Sequence, residues 1–322
     1  MSTTKRSGHG PRLGCWGLVL ACAAALTGIA SFSNNAAAQS IQQRTFPSPE
    51  DAVKTLVEMV KKGDVDALLA IFGPDGKDLL ASSDPATARQ HRQVFTVAAA
   101  ERWRLTDAGA DQKTLVVGNE DWAFPVPLVK DTAGWRFDTA AGKEEVIARR
   151  IGENELAAID TVRAYVTAQQ RYAAQGHDGN EAGVYATKFQ SDPGKENGLY
   201  WPTARGKKRS PLGDLVAQAA EERRPVGGDR DQPSPFHGYY FKILTAQGAA
   251  APGGAKPYVF GGQMSGGFAL VAWPAQYDVT GVMSFIVGED GIVRQKDLGP
   301  GSDAIARKMR AYDPDASWRK VE

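Results

Sequence analysis

Apolar and polar positions alternate in recognisable rhythms soon after residue 46. Ser48-Pro49-Glu50-Asp51 combines a capping serine, a first-turn proline and acids at the positive end of a helix dipole. Ala52, Leu56, Met59 and Val60 follow at helical spacing. Gly63-Asp64 restarts a second helix with Val65, Leu68, Leu69 and Phe72 inward, and Gly73-Pro74-Asp75-Gly76 is a turn. A third helical stretch is expected over 85–103, burying Val94, Phe95, Ala98 and Trp103. The rhythm then shortens. Thr114 to Val117 is β-branched, and Gly134-Trp135-Arg136-Phe137-Asp138 alternates with a period of two. Phe124 to Val129 reads as an edge strand, because Pro125 and Pro127 cannot donate ladder hydrogen bonds. Helices followed by a small antiparallel sheet make residues 46–142 an α+β domain.

A long helix is expected from Lys143, with Ile147, Ile151, Leu156, Ile159, Val162, Val166 and Tyr172 on its apolar side. Gly152 costs about 1 kcal/mol relative to alanine and allows a kink or a break. Residues 176–235 are rich in Gly, Pro, Asp and Arg, with one helix expected at 210–222. Strands return over Tyr239–Thr245, Tyr258–Gly261, Gly267–Trp273, Gly281–Val287 and Ile292–Gln295, and Glu289-Asp290-Gly291 is a hairpin turn signal. The expected second domain, 143–322, is thus a long helix packed on an antiparallel meander. No internal repeat appears at solenoid periods.

The first 38 residues change the picture of where this domain pair works. A basic stretch ends at Arg12, an apolar run extends from Leu13 to about Ala30, and Ala36-Ala37-Ala38 precedes Gln39. That order predicts a secretory signal peptide, followed by a polar tether over 39–45. A retained anchor is the rival, although Gly14, Gly17, Thr27 and Gly28 dilute the run. No later segment approaches a membrane-spanning length. Val19-Leu20-Ala21-Cys22 resembles a lipoprotein signal loosely, with lipid attachment at Cys22 as the minority alternative. Cys15 and Cys22 are the only cysteines, so a cleaved chain has no disulfide, thiol nucleophile or cysteine-bound zinc. The expected location is the periplasm or the cell exterior.

Composition is that of an ordinary globular chain, 42% hydrophobic and 23% charged over 322 residues. Lys5, Arg6 and Arg12 are three of the 38 basic residues, leaving 35 against 37 acidic ones after residue 38. So even a balance gives no electrostatic case for nucleic acid or an anionic membrane surface.

Several runs resemble an uncharacterised bacterial family, the domain of unknown function 2950. They are Phe46-Pro47-Ser48-Pro49-Glu50-Asp51-Ala52, Gly118-Asn119-Glu120-Asp121-Trp122 and Trp135-Arg136-Phe137-Asp138-Thr139. Arg149-Arg150-Ile151-Gly152-Glu153-Asn154-Glu155-Leu156, Gly198-Leu199-Tyr200-Trp201-Pro202 and His237-Gly238-Tyr239-Tyr240-Phe241 continue the set. Ala269-Leu270-Val271-Ala272-Trp273-Pro274 and Asp313-Pro314-Asp315 complete it. The resemblance implies export and a two-part architecture but no catalytic residues. Residues 153–296 also resemble a type IV pilin or pseudopilin head in the order of their elements. A pilin places an apolar helix half at its extreme N-terminus, whereas here a whole polar domain precedes the long helix.

Strong catalytic motifs are missing: no zinc-protease pair, no phosphate loop, no dinucleotide fingerprint. No cofactor is expected. Ser265 in Gly262-Gln263-Met264-Ser265-Gly266 stands one position too late for a nucleophile elbow, and a glycine-rich turn explains it. His91 reads as a solvated helix residue. His177-Asp178-Gly179-Asn180-Glu181 bunches possible ligands at a spacing that matches no metal cage, so a polar loop is the simpler assignment. Asp313-Pro314-Asp315 reads as a turn whose aspartates cap backbone. Arg149-Arg150 beside Glu153 and Glu155 reads as a lattice of helix ion pairs, with carboxylate binding as the alternative.

The aromatic group Tyr200, Trp201, His237, Tyr239 and Tyr240 is the candidate binding surface, since such side chains bury large areas while keeping a polar end. The plainer alternative is that they glue the loop to the sheet. The function expected is a non-catalytic cell-envelope module that binds another envelope protein. An envelope enzyme or small-ligand binder with a cleft between the domains is the alternative.

Overall fold

A computed structural model describes residues 42–80, 85–203, 209–213 and 235–322. The leader, the Cys22 alternative and most of the helix expected at 210–222 lie outside them. Packing divides the chain into two compact units, one through Arg149 and one from Arg150. The class is α+β.

In the first unit, α1 (Pro49–Lys62) starts where Ser48 Oγ accepts from Asp51 N at 3.1 Å and stops at Gly63, whose φ is 69°. Asp64 caps α2 (Val65–Phe72) through Ala67 N at 3.0 Å. Helices α3 (Gly76–Leu80) and α4 (Pro85–Glu101) follow. Two expectations for the third helical stretch need correction. Val94 faces solvent, 43% exposed, while Phe95 and Ala99 are buried. Trp103 is not helical: it opens β1 (Trp103–Gly109), a strand with no counterpart in the sequence analysis. Its inward positions, Trp103 and Leu105, are two apart, and both pack on the core.

β1 lies along one edge of β2 (Gln112–Val117). The other edge of β2 is shared by β3 (Trp122–Ala123) and β4 (Leu128–Asp131), and β4 pairs with β5 (Gly134–Phe137). The edge strand expected over Phe124–Val129 is therefore a break between two short strands. Pro125 and Pro127 fall in the break, and the second strand lies inside the sheet rather than at its edge. Phe72, Phe95, Phe124 and Phe137 form the centre of this core, with ring centroids 5.4–6.4 Å apart in the contacting pairs. Within the segment 39–45, Gln43 Nε2 donates to Ile71 O at 3.0 Å and Phe137 O at 2.6 Å, and Arg44 N donates to Ala70 O.

Helix α5 (Thr139–Ala173) starts four residues earlier than expected and runs unbroken through Gly152. From Ala158 onward it gives Ile159, Val162, Tyr165, Val166, Ala168 and Tyr172 to the core of the second unit. Leu156, expected on that stripe, is 66% exposed. The sheet opposite runs β6 (Tyr239–Leu244), β11 (Ala269–Pro274), β12 (Met283–Val287), β13 (Arg294–Asp297) and β15 (Arg319–Lys320), every neighbouring pair antiparallel. Every residue of β11 is buried, as befits the middle strand. Between β6 and β11 the chain makes β7 (Ala246–Gln247), β8 (Lys256–Pro257), β9 (Val259–Phe260) and β10 (Gln263–Met264). Gly261 and Gly262, with φ of 56° and 84°, form the two-residue turn joining β9 to β10. Helix α6 (Ser302–Lys308) precedes β14 (Ala311–Tyr312), which pairs with β7 as the one parallel pair among the described strands.

The helix and sheet are joined by polar ties as well as apolar packing. Glu155 Oε1 accepts from Val282 N and Met283 N, each at 2.9 Å, and Asn154 Nδ2 donates to Thr280 O at 2.8 Å. Glu155 thus fastens the start of β12 instead of joining a helix ion-pair lattice. Arg149 pairs with Glu145 and donates to Ala123 O.

Gly281 sits directly under the Tyr239 ring. A Cβ there would lie 2.1 Å from the Tyr239 oxygen, which is buried and donates to Met283 O at 2.8 Å. Gly281→Ala is expected to cost about 1–3 kcal/mol, because neither the ring nor the strand has room to yield. Thermal or urea unfolding of the variant checks this, and unchanged stability would show that the ring moves freely.

Candidate binding surface

The candidate aromatics fall on different parts of the second unit. Tyr200 and Trp201 lie on the segment 176–203, which returns against the end of α5. Backbone hydrogen bonds lock this segment: Tyr200 N donates to Phe189 O and Ser191 N to Tyr200 O, both at 2.8 Å. Leu199 is buried, and Leu212 N donates to its carbonyl at 2.9 Å. Gly198 allows the close approach, since a Cβ there would lie 2.8 Å from the Gln190–Ser191 peptide. Tyr200 and Trp201 each rest one side on the core and keep the other toward solvent.

Trp201 meets a residue the sequence analysis had put elsewhere. The His177 ring stacks on Tyr172 at 4.3 Å and 19°, and meets Trp201 at 5.5 Å and 57°. His177 Nδ1 is 3.2 Å from Glu196 Oε2, and the imidazole is only 9% exposed. Tyr172 donates to Glu196 O at 3.0 Å, and burial followed by the nearby Asp178 and Glu196 charges pushes its phenol up to about 12. Asp178, at φ 49°, accepts from Glu196 N at 2.9 Å, and Asn180 accepts from Gln263 Nε2 at 2.8 Å. His177, Asp178 and Asn180 therefore spend their ligand-like atoms on separate structural bonds. Among the described residues, no three His, Cys, Asp or Glu side chains are placed to hold a metal ion.

His237, Tyr239 and Tyr240 are not brought to Trp201 by any of these contacts. His237 has a φ of 46° and packs on Phe236 at 4.2 Å. Tyr239 is fully buried, and burial holds its phenol far above the ordinary tyrosine range. It is a core residue. Tyr240, the next residue in the strand, points to the opposite face and contacts Trp273 at 5.7 Å. The five candidates are one segment-borne pair plus three residues at one strand entry.

Other candidate chemistry resolves into capping and ion pairs. Asp138 Oδ1 accepts from Ala141 N at the start of α5, and Asp121 pairs with Arg102 and Arg104. Asp315 accepts from Ser317 N at 2.8 Å, the turn-capping role expected, whereas Asp313 accepts from the distant Ala250 N at 2.8 Å and ties two segments together. The side chain of His91 lies outside those described. Among the described residues, no helix is long and apolar enough to cross a membrane.

A family model described as a protein of unknown function (DUF2950) matches residues 43–321. The chain belongs to that family. Neither curated proteins nor solved structures offer a match, so the likeness to pilin heads rests on the order of elements alone. The shared match covers both units and with them the segment bearing Tyr200 and Trp201.

Proposed function

We propose that this DUF2950 chain is an exported cell-envelope protein acting as a non-catalytic binding module, with Tyr200 and Trp201 at its contact surface. The observation that carries this reading is the pairing of half-exposed aromatic rings with a backbone already fixed by the hydrogen bonds of Leu199 and Tyr200 to Lys188, Phe189, Ser191 and Leu212. A rigid segment loses little entropy when a partner covers it, and Tyr and Trp are the side chains that gain most from being covered. Export is supported by the basic, apolar and small-residue order of residues 1–38. The partner expected is another envelope protein.

The test is in-cell photocrosslinking from Pro202, which is exposed beside the pair, compared with Tyr200→Ala/Trp201→Ala. Loss of a reproducible crosslinked protein by at least about tenfold, with the far-UV spectrum intact, is the expected result for a two-residue hot spot. An unchanged crosslink would remove these residues from the surface.

A further inference from the structure

On the sheet face away from α5, Arg307 of α6 is held in an unusual way. Its guanidinium carbon lies 5.4 Å from the Tyr240 ring centre and 5.9 Å from that of Trp273, whose strands place the two rings directly opposite each other. Asp303, one helical turn earlier, accepts from Arg307 Nε through both oxygens, at 2.8 and 2.9 Å, and also from Trp273 Nε1 at 2.9 Å. Arginine carries five N–H donors, and this grip occupies only the one on Nε. The Arg307 side chain is half exposed, and Lys308 and Arg310 follow it on the surface. Lys242, on the same sheet face as Tyr240, turns its ammonium onto the carbonyls of Arg307 and Met309 at 2.5 and 2.7 Å. That contact fixes the end of α6 and adds positive charge beneath it.

We propose that the Arg307 fork is an oxyanion-binding site, taking a carboxylate or phosphate group of a ligand through its two terminal nitrogens. A helix ion pair alone would leave the guanidinium free to swing. Here the carboxylate holds its Nε edge and two rings lie against its guanidinium carbon, which restrains it in the way that bidentate anion recognition needs. Asp303 cancels part of the charge without covering the outward nitrogens, and Lys308 and Arg310 add attraction at longer range. The site is separate from Tyr200–Trp201 and stands whether or not that surface binds a protein.

The Trp273 indole N–H reports on the site, because it shares Asp303 with Arg307. Titrating the full chain with inorganic phosphate, and separately with acetate, should shift this resonance saturably in nitrogen–proton spectra. Arg307→Lys keeps the charge but loses the fork, and should weaken binding roughly tenfold. Lys308→Gln/Arg310→Gln keeps the fork and should weaken it by no more than about threefold. Tighter binding of phosphate identifies a phosphate-bearing ligand, and tighter binding of acetate a carboxylate-bearing one. A shift that grows linearly without saturating overturns the proposal. So does equal affinity of wild type and Arg307→Lys, or loss of binding in the double variant alone, which would make the effect diffuse attraction. A far-UV spectrum and a urea midpoint at their wild-type values in each variant confirm that the fold survives, since the Trp273 resonance itself moves when Arg307 is replaced.

Discussion

Replacing Gln169 by leucine is expected to destabilise the second unit by about 2–5 kcal/mol, although the two side chains are similar in size. Gln169 is fully buried on α5. Its Oε1 accepts from Ala186 N at 2.9 Å, and its Nε2 donates to Ala186 O at 2.8 Å and to the Tyr165 hydroxyl at 3.0 Å. One side chain thus serves both backbone groups of a buried residue in the segment that carries Tyr200 and Trp201. Leucine fills the space but leaves a buried N–H and C=O without partners. Gln169→Glu is the sharper control: it keeps the acceptor for Ala186 N and loses the donor, and it buries a carboxyl group besides. Urea unfolding measures both costs. Hydrogen exchange locates them, with early exchange expected around Ala186 and beyond. A leucine variant as stable as wild type would mean that the segment is not pinned through Gln169.

Raising the pH should unfold the second unit cooperatively. Burial holds the phenols of Tyr165, Tyr239 and Tyr258 far above the ordinary tyrosine value, and pushes Tyr172 and Tyr312 up to about 12. The unfolded chain releases these protons near pH 10. Above that point the native state holds more protons than the unfolded one, so stability falls with rising pH; below it the contribution is complete. Absorbance at 295 nm should therefore show part of the nine tyrosines ionising in one steep step together with loss of near-UV dichroism. In denaturant all nine should titrate as one ordinary group. A smooth native titration near pH 10 with the fold intact would contradict the burial of these rings.

The sequence revealed the elements whose signals are local. Ser48, Gly63 and Asp64 act at a distance of three or four residues: Ser48 is the cap expected, and the second helix restarts after Gly63-Asp64 as expected. Four strands of the meander appeared in the same way from alternation and turn residues. The stretch expected over Tyr258–Gly261 instead forms a separate hairpin, and the edge strand Arg319–Lys320 was not expected. What stayed hidden depends on partners far along the chain. Trp103 looked helical because α4 ends only two residues before it, and its strand partner Val117 lies across a hairpin. Leu156 fits the apolar spacing of α5 yet has nothing opposite it, while Glu155 beside it is consumed by residues 282 and 283. The candidate site was legible to the same extent. Tyr200 and Trp201 do stand together on a firm segment, but no spacing rule brings His177 to them. Nor does sequence proximity separate Tyr239 from Tyr240; only the pleat of β6 sends one into the core and the other toward Arg307.

Helix α5 also sets an order in time. Residues 43–149 make their core contacts among themselves, so the first unit can close as soon as the start of α5 exists. The second half of the same helix has only the segment that follows it as an early partner. Ile159, Val162, Tyr165 and Tyr172 are covered by residues from Ala186 to Tyr312, and the strand beside β7 arrives only with Ala311. A chain delivered N-terminus first covers part of that stripe with Ala186 and Leu199, and must carry the rest bare until the sheet strands arrive from Tyr239 onward. Contacts so distant in sequence close slowly, and a waiting apolar helix is the part of this protein that a folding helper would meet.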